Sequence, residues 1–380
     1  MSRLTFAAFA LLLAAASLLV SCRRAEESAP TGTDSIVIGV SLPLTGDGAA
    51  YGQDIKKGVD LALEEINDSG GVNGRPIRLI YEDDRGEPAT AVSAFQKLVS
   101  THDIPAAIAG AFSSPALAVA PIANREQVVV LSPTASSPDL TDAGPFFFRN
   151  YPSDTLEGNV MAEIAVDDLR FKRFAILYST SAYGVGLREV FSREVKARGA
   201  EVVIAEGFKE GDTDFRTQLD KVRAANPDAI YMVGYYKEFA KILKQAKELG
   251  IDKRILSCVT FNEPELLELA GSAADGVVFA QPYFDPESDD PSVQQFIEAY
   301  KKKYASTGGV YAAHGYDALK LLALAMEREG VTGPQIATGL RQIDAYEGAS
   351  GMTTFDHNGD VVKPFRLFTV KAGQYVLYRQ

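Results

Sequence analysis

The chain has 380 residues, 46% hydrophobic and 23% charged, the proportions of an ordinary globular protein long enough for about two domains. Its 38 Lys and Arg against 50 Asp and Glu leave a net charge of −12, which argues against nucleic acid as a partner and against a basic membrane-binding face. Three His without ligand spacing and two Cys give a metal site or a catalytic triad little to build on.

Residues 1–22 read MSRLTFAAFALLLAAASLLVSC. Arg3 precedes an apolar run from Leu4 to Val20, and small residues follow, the layout of a secretory signal. A Cys straight after Leu-Val-Ser resembles the bacterial lipobox, in which the Cys is lipidated and becomes the new first residue, so Cys22 is the expected anchor. The alternative is a membrane-spanning helix, because the run nearly reaches the ~20 residues that a span needs. With Cys22 lipidated, Cys258 has no partner and reads as a small buried apolar residue. Residues 23–34 (RRAEESAPTGTD) are small, polar and charged, and read as a flexible tether.

From Ser35 strand and helix alternate. Short β-branched or apolar runs predict strands at 36–40, 77–81, 106–110 and 128–131. Apolar residues at helical spacing predict helices at 52–67, 88–101 and 115–125. A second series follows Phe148-Arg149-Asn150, with helices at 156–169, 184–198, 214–225, 237–249 and 263–269. Its strands are at 174–178, 202–205, 229–233, 254–258 and 276–279. Two such series argue for two doubly wound α/β domains. The tail changes rhythm: helices at 291–304, 314–328 and 334–342 precede alternating segments at 352–355 and 366–378, around a turn at Asn358-Gly359.

Taken together, several segments are similar to a known family. Ile38-Gly-Val-Ser-Leu-Pro-Leu-Thr-Gly46 with Tyr51-Gly52, Asp68-Ser-Gly-Gly-Val-Asn-Gly74, Glu82-Asp83-Asp84 and Gly110-Ala-Phe-Ser-Ser114 come first. Ser132-Pro-Thr-Ala-Ser-Ser-Pro138, Tyr183-Gly184, Gly234-Tyr235-Tyr236 and Phe355-Asp-His-Asn-Gly-Asp360 follow in order. The chain resembles the leucine/isoleucine/valine-binding type of periplasmic solute-binding protein, the receptor part of an ABC importer, over nearly its whole length beyond the tether. The resemblance implies two Rossmann-like lobes joined by a three-strand hinge, with ligand in the cleft between them. One lobe would be 35–150 with 284–351, the other 151–283 with 352–380.

In open α/β sheets ligands sit beyond the carboxyl ends of strands, where loops enter helix N-termini. Ser113 and Ser114 follow the strand at 106–110 and precede Pro115, expected as a first helical residue, so their amides and hydroxyls suit a carboxylate. Ser136 follows the next strand in the same way. By the resemblance, Ser113 and Ser136 would hold a ligand carboxylate and the Ala135 carbonyl would accept a donor. The alternative is that these serines only cap their own helices. Tyr51 would form an aromatic lid, Tyr183 and Tyr235 would face it from the other lobe, and Tyr311 would add a wall. Each tyrosine alone is equally a packing residue.

Amino-acid binders of this family carry an acidic residue after the strand ending near Cys258, where it pairs the ligand's α-ammonium. Here Val259-Thr260-Phe261 stands in that place, with Glu263 and Glu265 past it. A buried ammonium without counter-charge is costly. Either Glu263 turns into the cleft, or the ligand is an aliphatic or aromatic acid lacking the ammonium, or a modified amino acid. The family's disulfide is missing too, with Arg85 and Phe112 near where its cysteines would be.

The expected function is a lipid-anchored, monomeric periplasmic receptor that hands a small carboxylate-bearing solute to ABC permease subunits, without cofactor or metal. If the organism has a single membrane, the outer face of the cell membrane replaces the periplasm. A sensor domain feeding a signalling partner is the alternative. There is no GxSxG, phosphate-binding Walker loop or HExxH, so no catalytic residue is assigned and an enzyme is not expected.

Overall fold

The structure, a computed structural model, describes residues 35–378 apart from positions 283, 285 and 287. The signal segment, Cys22 and the tether lie outside the described residues. Strand β1 (Ile36–Leu42) is buried along almost its whole length, as a parallel strand covered on both faces must be. It leads into α1 (Ala49–Asp68), which buries Tyr51, Ile55, Val59, Ala62 and Ile66 at helical spacing. Next come β2 (Ile77–Asp83), α2 (Pro88–His102), β3 (Ala106–Ala109), α3 (Ser113–Glu126), β4 (Val129–Ser132) and β5 (Phe147–Arg149). The five strands form a parallel sheet of order β2-β1-β3-β4-β5.

The second series runs through α4 (Asp154–Glu163), β6 (Arg173–Ser179), α5 (Ala182–Ala197), β7 (Glu201–Phe208), α6 (Arg216–Ala225) and β8 (Ala229–Val233). It ends with α7 (Tyr236–Glu248), β9 (Arg254–Ser257), α8 (Pro264–Ala270) and β10 (Val278–Pro282). Its parallel strands have the order β7-β6-β8-β9-β10. Three helices, α9 (Pro291–Tyr304), α10 (Val310–Glu329) and α11 (Gly333–Arg341), then return to the first sheet, α10 lying along α1. A short hairpin, β11 (Tyr346–Gly348) and β12 (Gly351–Thr353), follows. Finally β13 (Phe365–Lys371) and β14 (Gln374–Leu377) extend the second sheet antiparallel beside β10. The molecule is thus an α/β protein of two doubly wound lobes.

Two features fix the first lobe around the cleft. Helices α1 and α10 meet backbone to backbone: a Cβ on Gly58 would lie 1.9 Å from the Ala312 carbonyl oxygen, and one on Gly315 2.5 Å from that of Ile55. No larger residue fits there. The contact sets Tyr51 and Tyr311, near the N-termini of the two helices, edge to face with ring centroids 5.0 Å apart. The second feature is Arg149, whose fully buried guanidinium binds both oxygens of Asp360 at 2.6 and 2.8 Å. It also donates to the Ser137 carbonyl at 2.8 Å and the Thr141 hydroxyl at 3.0 Å. A bidentate pair with two further donors bonded offsets much of its own desolvation, and removing one partner costs about 3–5 kcal/mol.

That pair keeps the segment before β13 with the first sheet. Phe355 packs edge to face on Phe148, and the buried Lys363 ammonium donates to the hydroxyls of Ser350 and Thr353. Local expectations need three corrections. The helix expected over 156–169 begins at Asp154, and its last turn widens into a π-helix at Ile164–Asp168. Pro115 is the third residue of α3, not the first, because Phe112 caps the helix. Asn358-Gly359 does not join two ladder strands. The Asp356 carboxylate accepts the amides of Asn358 and Asp360, both at 2.9 Å, and folds the segment into a local loop closed at Phe355 and Val361. The long hairpin turns instead at Ala372-Gly373, both left-handed, with φ of 51° and 71°.

Candidate functional site

The carboxyl ends of the two sheets face one another across a cavity lined by Tyr51, Ala111, Phe112, Ser113, Thr134, Ser136, Tyr151, Tyr183, Tyr235, Val259, Thr260 and Tyr311. The space open to the centre of a water molecule is about 30 Å³. Every wall comes from a loop after a strand or from a helix N-terminus, because only there does a doubly wound lobe expose backbone groups without strand or helix partners. Six of the eight expected ligand residues line it, namely Tyr51, Ser113, Ser136, Tyr183, Tyr235 and Tyr311.

Tyr51 is 2% exposed, and its hydroxyl spans the cleft. It donates to the Thr260 carbonyl at 3.0 Å and accepts the Tyr236 amide at 3.4 Å. Burial raises its hydroxyl well above the ordinary tyrosine range, so it stays a neutral donor. Phe112 packs on Tyr51 and Tyr235 at 5.8 and 5.0 Å and joins them in one aromatic partition. A smaller recess of about 20 Å³ shares these three rings and is otherwise lined by Asp47, Gly48, Glu210, Tyr236, Lys237 and Glu238. The Lys237–Asp47 ion pair there, 3.0 Å long, joins the two lobes at the surface.

The serines divide. The Ser113 hydroxyl accepts the amides of Ser136 and Ser137 at 3.4 and 3.1 Å, so it ties the two loops together instead of capping its own helix. Ser114 lies outside the wall, where its hydroxyl accepts the Ala182 amide of the opposite lobe at 3.0 Å. The Ala135 side chain does not line the cavity: its amide donates to the Ser132 hydroxyl at 3.1 Å and its methyl sits in a separate apolar cluster. The preceding residue, Thr134, lines the cavity with its hydroxyl on the Ala111 carbonyl at 2.7 Å. One residue of register along an irregular loop decides this, and apolar patterning does not fix it.

Glu263 does not reach the wall. It is the N-cap residue of α8, its amide and carbonyl are both bonded to the Tyr375 hydroxyl, and it lies behind Tyr51 and Tyr311. Burial, with Asp54 and Glu265 nearby, pushes its carboxyl up to about 8. Cys258 is fully buried and free, its thiol pushed up to about 12 by burial, and it behaves as a core residue beside Tyr183.

Two acids escaped sequence reasoning. Asp154 and Glu157 stand at i and i+3 on α4, on the same buried face as Gly158, Met161 and Ala162. Both are fully buried, directly behind the cavity wall. Glu157 accepts the Val259 amide with one oxygen at 2.9 Å, and its other oxygen has no hydrogen-bond partner. Neither oxygen of Asp154 has a partner of normal geometry, although the Ser136 hydroxyl lies beside it. The hydroxyls of Tyr151, Tyr183 and Tyr231 around them are also unpaired. Burial raises both carboxyls, and the charge of Asp154 adds to the rise at Glu157. The available signal was Ser153 as a capping residue, which sets the helix phase and puts both acids on its apolar side. Among the described residues no three His, Cys, Asp or Glu side chains converge to hold a metal, and no helix is long and apolar enough to cross a membrane.

Comparison with known proteins agrees with this architecture. Residues 35–374 match the family described as periplasmic binding protein. A leucine-, isoleucine-, valine-, threonine- and alanine-binding protein of Pseudomonas aeruginosa is 29% identical over 329 residues, covering 86% of this chain and 87% of that one. The crystal structure of the leucine-binding protein LivK of Thermotoga maritima has a TM-score of 0.86 at 33% identity, covering 90% of this chain and 98% of that chain. LivJ of Streptococcus pneumoniae, a branched-chain amino acid transporter substrate-binding protein solved with isoleucine, has a TM-score of 0.83 at 30% identity, covering 90% and 97%. All three are binding proteins and none is an enzyme. This chain belongs to the periplasmic binding protein family.

Proposed function

We propose that this protein is the extracytoplasmic receptor of an ABC importer, closing its two lobes around a small solute that bears a carboxylate and an apolar side chain. The observation that carries this reading is the cavity between facing strand ends, lined by serine and threonine hydroxyls together with aromatic rings. Relatives named for binding leucine, isoleucine and valine support it. In this reading Ser113, Thr134, Ser136 and the first amides of α3 take the carboxylate, and Tyr51, Phe112, Tyr183, Tyr235 and Tyr311 enclose the side chain. A solute touching both walls favours the closed arrangement only by its extra affinity for it.

The lobe boundaries follow as 35–150 with 284–363, and 151–283 with 364–380. Drawing the last crossing at 364 rather than 352 respects the Arg149–Asp360 and Lys363 contacts. Lipidation at Cys22 would hold a monomeric receptor near its permease in the periplasm. A thermal-shift screen of amino acids and aliphatic and aromatic acids, on protein lacking residues 1–22, tests the reading. A true solute at a hundredfold its dissociation constant adds about 2.7 kcal/mol of stability. Stabilisation by none of them, with binding to a partner protein instead, overturns it.

A further inference from the structure

Phe112 stands between two spaces. The cavity of about 30 Å³ and the recess of about 20 Å³ share the rings of Tyr51, Phe112 and Tyr235, and beyond those rings the recess is lined mostly by charged side chains. Two of the three rings carry hydroxyls with work of their own. Tyr51 bonds to Thr260 and Tyr236 across the cleft, and the Tyr235 hydroxyl lies beside that of Ser181. Phe112 has no polar atom on its side chain, so its ring only fills space.

The position of that ring is fixed by backbone. Phe112 is the extended residue directly before α3, and its carbonyl accepts the Ala116 amide at 2.9 Å as the helix opens. The ring lies against two glycines from neighbouring turns of the same lobe. A Cβ on Gly48 would fall 2.5 Å from it, and one on Gly86 2.8 Å. Gly86 also has a φ of 73°, which disfavours a side chain there on its own account. Elsewhere the ring meets Tyr51 and Tyr235, with centroids 5.8 and 5.0 Å away. It is thus seated in the first lobe and reaches the second at Tyr235. A ring packed on all these neighbours moves aside only at the expense of its contacts.

Resting on the receptor reading, we infer that Phe112 is a specificity-determining residue: its ring ends the cavity and limits how far the apolar tail of a solute can extend. A tail that stops short of the ring packs on it, whereas a longer or aromatic tail has to displace it. Without the ring, cavity and recess become one space. The hole left between Gly48, Gly86, Tyr51 and Tyr235 has the size of a phenyl group, and a solute carrying its own phenyl can fill it. The discrimination is steric and directed against the longer tail, so it does not depend on which polar groups hold the other end of the solute.

Isothermal titration calorimetry on the full chain decides this with two probe series, each of constant head group. One is L-leucine, L-phenylalanine and L-homophenylalanine; the other is 4-methylpentanoate, 3-phenylpropanoate and 4-phenylbutanoate. Within whichever series binds, the wild type should favour the branched aliphatic probe over the phenyl-bearing ones by about tenfold or more. Phe112→Ala should move that ratio toward the phenyl-bearing probes by about tenfold or more, through affinity that they gain, and Phe112→Leu should move it less in the same direction. The leucine variant keeps most of the packing and answers the question even if the alanine variant fails to fold. A wild type that binds the phenyl-bearing probes as well as the branched one, or variants in which no phenyl-bearing probe gains affinity, overturns the inference and leaves the receptor reading standing. If no probe of either series binds the wild type or the variants, the receptor reading fails and takes the inference with it.

Discussion

Arg149 and Asp154 are near neighbours in the chain, both fully buried, yet their surroundings differ completely. The guanidinium of Arg149 makes four hydrogen bonds and closes the loop at Asp360. The carboxyls of Asp154 and its companion Glu157 leave three of their four oxygens without a partner. A satisfied buried charge holds the fold together, whereas an unsatisfied one weakens it.

The largest expected effect tests the satisfied side. Arg149→Ala should cost about 3–5 kcal/mol in urea unfolding, because Asp360 loses its partner and the segment before β13 loses its tie to the first sheet. Glu157→Gln should instead leave stability near neutral pH unchanged or raised, since an amide fills the same space without a charge. A loss as large as that of Arg149→Ala would erase the contrast.

Glu263 sharpens the comparison as a third buried charge. Its folded-state pKa of about 8 lies above its ordinary 4.5. Its contribution to stability is therefore complete below pH 4.5 and is lost as the pH rises from there through 8. Glu263→Gln should flatten that decline in unfolding curves recorded at pH 5, 6.5 and 8. An unchanged slope would show that another acid causes it. The smallest effect belongs to Tyr51→Phe, which removes the hydroxyl that reaches Thr260 and Tyr236. About 1 kcal/mol, or roughly fivefold in solute affinity, should follow, with the aromatic packing intact. No change in affinity would mean that the cleft closes without this bond.

Much of the lobed fold was legible because buried parallel strands and amphipathic helices carry strong periodic signals. Strands β5 and β11, three residues each, did not, because neither has room for a period. At the cavity Ser113 and Ser136 stand out because a strand end followed by a helix is a local pattern, Tyr51, Tyr183, Tyr235 and Tyr311 stand out only through the family resemblance, and Phe112 and Tyr151 carry no local signal. Thr134 as a lining residue was not legible, since loop register depends on hydrogen bonds such as that of Ser132. The acids of α4 were hidden for a different reason. They look like ordinary first-turn carboxylates of a helix, and only the packing of α4 against the cavity turns that end inward.

The two sheets wind alike, as β2-β1-β3-β4-β5 and β7-β6-β8-β9-β10. The molecule is a pseudo-duplicate, and equivalent loops confront each other across it: Tyr51 with Tyr183, Ser113 with Tyr235, Ser136 with Val259 and Thr260. The frame is nearly symmetric while the chemistry set on it is not. One copy sets the hydroxyls of Ser113, Thr134 and Ser136 beside the rings of Tyr51 and Phe112, the other sets the rings of Tyr183 and Tyr235 beside Val259 and Thr260. A duplicated scaffold that has diverged only at its rims can therefore tell one end of a solute from the other.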